Sequence, residues 1–107
     1  MPELAHLSTD ATSAEICAVL DRDGALIVDD AMAPGLLERL RGEIMPYVEA
    51  TPVGMDDFTG RHTTRTGALA ARSAACRELI TDARLIGACD QFLKPFCDRY
   101  QLHLTQL

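Results

Sequence analysis

This chain of 107 residues contains two segments with the pattern of β-strands, and they lie far apart among four predicted helices. Residues 25–28 are an apolar run between an Asp-Gly turn and two aspartates, which is typical of a strand buried on both faces. Residues 100–107 largely alternate polar and apolar side chains, which is typical of a half-buried strand. Because two strands alone make a poor sheet, we expect the partners of both strands to lie beyond residue 107.

The first two helices are predicted from capping residues and apolar spacing. Thr12 and Glu15 have the spacing of a capping box at the start of a helix over residues 13–21. Pro34 suits the first turn of the second helix, where its missing N–H costs nothing. Pro46 is expected to kink or end that helix because it removes a backbone hydrogen bond.

Two further helices are predicted after a long loop. Ser73 is expected to cap a helix that runs to about Thr81, and Asp82 is expected to cap another that ends near Pro95. The last helix carries an apolar stripe that we expect to be buried, formed by Leu85, Ile86, Cys89, Phe92 and Leu93.

The most informative loop is Thr51–Gly67, which is rich in Gly, Thr, Asp and Arg and has little apolar periodicity. Loops of this length are uncommon in compact domains and are often lids or binding loops. Arg61 and Arg65 are candidates for a fork on a substrate carboxylate or phosphate, with Thr64 and other threonine hydroxyls as additional donors. His62, between the two arginines, is a candidate to orient the same anion.

Composition bears on partners and location. The balance of 16 acidic and 10 basic residues, a formal charge of −6, argues against a nucleic-acid backbone or an anionic membrane as the main partner. The N-terminus has no secretory signal, and no run approaches the ~18 apolar residues of a membrane span, so we expect a cytoplasmic chain. The four cysteines form no C-x-x-C pair and are predicted to be small buried hydrophobes: Cys17, Cys76, Cys89 and Cys97.

Taken in order, several segments resemble the N-terminal region of the phytanoyl-CoA dioxygenase family. They are residues 20–30, 34–44, 63–80 and 100–106, so the resemblance spans roughly residues 14–107. Its most typical part is a helix followed by an Asp-Gly turn, an apolar strand and a helix begun by proline. The T-x-R-x-G-x-L-x-x-R-S stretch from Thr63 to Ser73 is also similar.

The resemblance implies an α+β fold, with an N-terminal helical layer and the first strands of a double-stranded β-helix (jelly roll), truncated here. Residues 1–107 would be one partial domain, with a flexible arm over residues 1–11. Full-length relatives use Fe(II) and 2-oxoglutarate to hydroxylate a small-molecule substrate, and a His-x-Asp pair with a distal histidine holds the iron. The 107 residues contain no His-x-Asp pair. We therefore expect the chain alone to bind neither cofactor and to be inactive.

Site residues carried over from the resemblance fall into two groups. The loop with Arg61, His62, Thr64 and Arg65 would lie over the pocket mouth and contact the substrate. One face of strand 100–107 would point at the cosubstrate pocket. We favour the polar face formed by Gln101, His103 and Thr105, because a polar face suits a dicarboxylate and the leucines of the other face suit packing under helices. That other face is formed by Leu102, Leu104 and Gln106.

Two alternatives remain open from the residues. The chain could be a small, non-catalytic helical binding or interaction domain, whose terminal strands pair with each other or with a partner. If it is instead the oxygenase fragment, the unpaired edges of its strands would favour self-association. It could also be a small acidic enzyme that uses Asp56 and Asp57 as a general base or cation ligand. Paired aspartates in a Gly-rich loop are more typical of turns.

Overall fold

The computed structural model describes residues 3–107 of a mixed α+β chain, of which about 50% is helical and 8% is strand. The strands are β1 (Ala5–Leu7) and β2 (Leu26–Val28), and the helices are α1 (Ser13–Asp23), α2 (Pro34–Ala50), α3 (Leu69–Arg72), α4 (Ala74–Ile80) and α5 (Ala83–Leu93), with a 3-10 turn at Lys94–Phe96. The elements belong to two compact units. Unit 1 holds the chain up to Ala33 with Ile80–Gln101, and unit 2 holds Pro34–Leu79 with Leu102–Leu107.

Helix α1 begins and ends at local signals in the sequence. The Thr12 hydroxyl accepts a hydrogen bond from the Glu15 N–H at 3.2 Å, and Glu15 Oε2 accepts from the Thr12 N–H at 2.8 Å. The predicted capping box is therefore confirmed. Gly24 ends the helix with a φ of 78°, a left-handed conformation that glycine adopts without strain.

The two strands of unit 1 are parallel neighbours. Leu26 lies opposite Ala5, and Val28 lies opposite Leu7. The polar pattern of residues 1–11 predicts a flexible arm, yet residues 5–7 pair with β2. A strand of three residues can form without an apolar repeat, because a neighbouring strand satisfies the hydrogen bonds of its backbone. Positions 1 and 2 of that arm lie outside the described residues.

Strand β2 is less buried than its sequence predicts. Ile27 is 39% exposed, and Leu26 and Val28 are half-buried. The prediction of burial on both faces is wrong because α1 packs against this strand while nothing among residues 3–107 covers Ile27 to the same extent.

The core of unit 1 lies between α1 and α5. Ile16, Cys17 and Val19 of α1 and Ala88 of α5 are buried, and Cys17 Sγ donates to the Ala88 carbonyl at 3.5 Å. A Cβ at Gly87 would lie 2.6 Å from the Ser13 hydroxyl, so glycine permits this close approach of the two helices. Asp82 caps α5 through the Arg84 N–H at 2.9 Å, as its position predicts.

Unit 2 is organised around α2. This helix continues through Pro46 to Ala50, so the proline does not end it. Two contacts lie beyond Pro46. The Arg72 guanidinium, 25 residues further along the chain, lies 4.6 Å from the centre of the Tyr47 ring, and the Thr51 hydroxyl donates to the Tyr47 carbonyl four residues before it at 2.7 Å. The buried apolar residues of this unit are Ile44, Leu69, Ala75 and Cys76.

The end of the chain is not the strand that its alternation predicts. In residues 100–107 a single isolated bridge joins Gln106 to Gly67, and no regular strand is present. Leu102 and Leu104 are each 60% exposed, so the prediction that they pack under helices is wrong. A period of two yields a strand only where a neighbouring strand offers a continuous row of donors and acceptors, and the segment at Gly67 offers just one bridge.

The cysteines fit their prediction only in part. Cys17 and Cys76 are buried, Cys89 is half-buried and Cys97 is exposed, and all four are free thiols. The Cys97 thiol donates to the Leu93 carbonyl at 3.3 Å, just after the end of α5. No helix of residues 3–107 is long and apolar enough to cross a membrane.

Candidate functional site

The predicted lid is a closed loop whose base is a pair of threonines. Thr51 follows α2, and Thr66 stands at the far end of the loop with only 1% of its surface exposed. Their hydroxyl oxygens are 2.8 Å apart. Because the Thr51 proton is used on the Tyr47 carbonyl, the Thr66 hydroxyl is the donor of this pair. The loop thus leaves and rejoins unit 2 at one point, as in an Ω-loop.

Inside the loop, backbone and threonine hydrogen bonds hold a compact turn. The Gly54 N–H donates to the carbonyls of Gly60 and Thr63, each at 3.1 Å. A Cβ at Gly54 would lie 2.5 Å from the Thr59 carbonyl oxygen, and Gly60 has a φ of 83°, so both positions require glycine. The loop has no helix or strand but is well ordered by its own contacts, as its composition predicts.

The two aspartates of the loop have different contacts, and only Asp56 forms a turn. Asp56 Oδ1 accepts from the Thr59 N–H at 2.7 Å and from the Thr59 hydroxyl at 2.6 Å. The hydroxyl bond, followed by the backbone bond, lowers the pKa of Asp56, which makes it a weaker base. Asp57 Oδ1 lies 2.7 Å from Arg61 Nε. This geometry favours the turn role over a general base.

The four candidate side chains of the loop are all exposed. Arg61 is held by Asp57, whereas His62, Thr64 and Arg65 have no side-chain partner among residues 3–107. They lie on the surface of unit 2. Two large apolar side chains of the same loop also face solvent, since Met55 is 90% exposed and Phe58 is 89% exposed.

The structure brings one end of the loop beside the terminal segment. The backbones of Thr66 and Leu107 exchange two hydrogen bonds, at 2.9 and 3.0 Å. Thr105 is half-buried, and its hydroxyl accepts from the Ala70 N–H at 3.1 Å, so it holds α3. His103 is exposed.

Gln101, a predicted site residue, borders a cavity. With Arg99 and Tyr100 it lines an open polar depression of about 420 Å³ in unit 1. The Tyr100 hydroxyl donates to Asp90 Oδ1 at 2.5 Å, and Lys94 Nζ lies 2.8 Å from Asp90 Oδ2. The bond to Asp90 is the main cause that raises the pKa of Tyr100 to about 12. The tyrosine is therefore a structural donor at neutral pH.

Sequence reasoning missed an apolar groove in unit 1. Its volume is about 300 Å³, and its lining is entirely apolar: Ile16, Leu20, Leu26, Leu85, Ala88, Cys89, Phe92 and Leu93. The prediction that the α5 stripe is buried is wrong, since Cys89 is only half-buried and the other four residues are exposed: Leu85, Ile86, Phe92 and Leu93. All of the stripe except Ile86 forms one wall of the groove. The width of this apolar stripe is the sequence signal that could have revealed the groove. The stripe is wider than the surface that α1 alone can cover.

An iron centre does not fit the residues described. No three His, Cys, Asp or Glu side chains within residues 3–107 lie close enough to hold a metal ion. His62 and His103, the histidines nearest to the expected pocket, are both on the surface. No chemical step through iron is therefore assigned to these residues.

The sequence was also compared with known proteins. It matches no protein-family model and no curated protein.

Proposed function

We propose that this chain forms the N-terminal helical region of a cytoplasmic oxygenase of the phytanoyl-CoA dioxygenase type, which hydroxylates a small organic substrate. The observation that carries the proposal is the order of elements from Thr12 to Ala50. A capped helix, the Gly24 turn, strand β2 and a helix begun by Pro34 follow one another. That order is the most typical part of the family resemblance in the sequence.

A second observation supports the same proposal. The T-x-R-x-G stretch that begins at Thr63 lies beside the terminal segment, through the paired backbones of Thr66 and Leu107. Both segments belong to the resemblance, and in the proposed enzyme both lie near the pocket. Arg61, His62, Thr64 and Arg65 are exposed and available to a substrate there.

Iron and 2-oxoglutarate belong to the proposed enzyme and not to the residues described. When bound, they would activate O₂, which is the oxidant and the source of the oxygen inserted into a C–H bond, while 2-oxoglutarate is converted to succinate and CO₂. The described residues support the site: α2 carries the loop closed by Thr51 and Thr66, and this loop lies over the substrate. The jelly-roll barrel is likewise part of the proposal.

The first test is the reading frame that encodes the chain. We expect an in-frame His-x-Asp codon triplet after the codon for Leu107, followed by a later histidine. The protein made from that frame should convert 2-oxoglutarate and O₂ to succinate and CO₂ in the presence of Fe(II), and a His→Ala change in the motif should abolish the conversion. The proposal fails if the frame encodes no such motif, or if the 107-residue chain itself consumes 2-oxoglutarate.

A helical binding domain is the second candidate, and the apolar groove of unit 1 favours it. A groove lined only by apolar side chains holds ligands by burial, and it needs no catalytic group. Cooperative unfolding of the 107-residue chain, with no oxygenase motif in its gene, would favour this candidate over the first.

A further inference from the structure

The last residues of unit 2 use only one of their two backbone edges. The Thr105 carbonyl accepts from the Leu69 N–H at 3.4 Å, and Leu107 exchanges two backbone hydrogen bonds with Thr66. Two residues apart and turned to the same side, Thr105 and Leu107 have the alternation of a strand, in which the backbone groups of successive residues point to opposite edges. The backbone groups of Gln106, between them, therefore point to the other edge.

That other edge has no partner within residues 3–107. No backbone hydrogen bond of this part of the chain reaches Leu102, Leu104 or Gln106, and all three residues are exposed, each leucine to 60%. An unpaired edge is a template for another strand, and proteins commonly block it with charged side chains or proline. Residues 102–107 contain no Lys, Arg, Asp, Glu or Pro, so the edge is open to pairing.

The edge is complementary to itself in antiparallel pairing. A two-fold axis at Leu104 places this residue opposite its own copy, and it places Leu102 opposite Gln106 of the second copy. Both are hydrogen-bonded pairs, so the N–H and C=O groups of all three residues find partners. The same axis brings the two Leu104 side chains together and sets His103 opposite Thr105 of the second copy, so no like charges meet.

The charge of unit 2 also favours a second copy as the occupant. This unit contains six Asp and Glu and six Arg and Lys, so its formal charge is zero, whereas unit 1 has ten acidic and four basic residues and carries the −6 of the chain. A neutral surface neither repels its own copy at long range nor selects a strongly charged partner. Backbone pairing and the exposed leucines therefore decide what binds at this edge.

From these observations we infer that two copies of the 107-residue chain associate by antiparallel pairing of residues 102–107, centred on Leu104. The second copy supplies the row of donors and acceptors that the single bridge at Gly67 does not offer, so the alternating segment becomes a strand in the dimer. Stable interfaces bury at least about 1,200 Å², and a pair of short strands buries less, so the dimer is transient. The inference uses neither iron nor the family resemblance, so it can fail while the proposed oxygenase holds, and the reverse.

Sedimentation of the unaltered chain tests whether it associates. We expect the average mass to rise from that of a monomer towards that of a dimer between about 10 µM and about 1 mM. Amide hydrogen exchange over the same range tests the register. The amides of Leu104 and Gln106 should become protected, whereas that of His103, on the other edge, should not change. A chain that stays monomeric, or a dimer without this alternation, overturns the inference.

A charge swap at the axis locates the contact. Leu104→Lys and Leu104→Glu each set like charges opposite one another, and each should raise the dissociation constant of the dimer at least about tenfold. An equimolar mixture of the two variants should associate again, because opposite charges then meet. Phe58→Lys, at an exposed apolar side chain of the loop in unit 2, is the control and should leave the dimer unchanged.

Circular dichroism checks that each variant is folded, and the exchange pattern of the unaltered chain decides the question if one is not. No recovery in the mixture of folded variants overturns the inference. Loss of the dimer in Phe58→Lys overturns it in favour of association through the loop.

Discussion

The Glu43 carboxylate on α2 accepts a hydrogen bond from the Ser73 hydroxyl, with 2.6 Å between Oε2 and Oγ. The same oxygen accepts from the Ala75 N–H at 3.0 Å, and Ser73 Oγ accepts from the Cys76 N–H at 2.8 Å. The hydrogen bonds to its carboxylate lower the pKa of Glu43, and the bond from Ser73 has the largest effect. One carboxylate thus joins α2 to the start of α4, although the sequence pattern places Glu43 on a polar helix face.

Replacing Ser73 should therefore destabilise unit 2. Ser73 is fully buried, so Ser73→Ala removes the cap of α4 and the donor to Glu43, and we expect a loss of about 1–2 kcal/mol in the free energy of unfolding in urea. Ser8→Ala, at an exposed serine, is the control and should stay within about 0.5 kcal/mol of the unaltered chain. Equal effects of the two changes would contradict the proposed role of Ser73.

Two glycines should respond in opposite directions to alanine. Gly54→Ala brings a Cβ within 2.5 Å of the Thr59 carbonyl oxygen and should destabilise the loop, by about 1–3 kcal/mol. Gly42→Ala, in the middle of α2 with open space around it, should stabilise the chain by about 0.5–1 kcal/mol. Thermal unfolding of both variants checks this. A stabilising Gly54→Ala would show that the turn is not as tight as described.

Asp82 should make stability depend on acid pH. Its side-chain bond to Arg84, followed by the Arg84 N–H, lowers the pKa of Asp82 from 3.8 to about 2 in the folded chain. Because the pKa of Asp82 is lower in the folded chain than in the unfolded chain, its ionised form stabilises the fold. This stabilisation is complete above the unfolded pKa near 4 and is lost as the pH falls towards 2. Urea midpoints measured at several pH values should show that the unaltered chain is more stable than Asp82→Asn above pH 4. The difference in stability should disappear as the pH falls from about 4 to about 2.

Asp82→Asn is a suitable variant because asparagine can still cap a helix. The control is Asp21→Asn, at an exposed carboxylate without an ion-pair partner in the described chain. A gap that is constant from pH 5 to pH 2 would argue against the Asp82–Arg84 pair as its source.

Tyr100 should ionise at unusually high pH. Its hydrogen bond to Asp90 raises its pKa from 10.0 to about 12. Because the folded pKa is raised, the contribution to stability is complete below pH ~10 and is lost as the pH rises through 12. The chain has two tyrosines, so a Tyr47→Phe background isolates Tyr100 in an absorbance titration.

In that background, Asp90→Asn should move the midpoint back towards 10, because the charged acceptor is gone. Asp98→Asn removes a nearby carboxylate that makes no bond to Tyr100 and serves as the control. A midpoint that is the same with and without Asp90 would refute the assignment.

The sequence by itself determined the helices whose limits are set by near neighbours. Thr12 with Glu15, Gly24, Ser73 and Asp82 act over three or four residues, so their bonds could be inferred without knowing the rest of the fold. The aperiodic loop was also predictable, because its glycines, threonines and aspartates make turns with each other.

Only the tertiary structure decided what depends on distant partners. The pairing of β1 with β2 and the loss of strand structure in residues 100–107 depend on contacts between residues far apart in sequence. Helix α2 also continues past Pro46, where its sequence predicts a kink or an end. The apolar stripe of α5 was visible in the sequence, but its half-open state was not. Apolar periodicity indicates that a face favours burial, whereas the layer that covers it is fixed by packing.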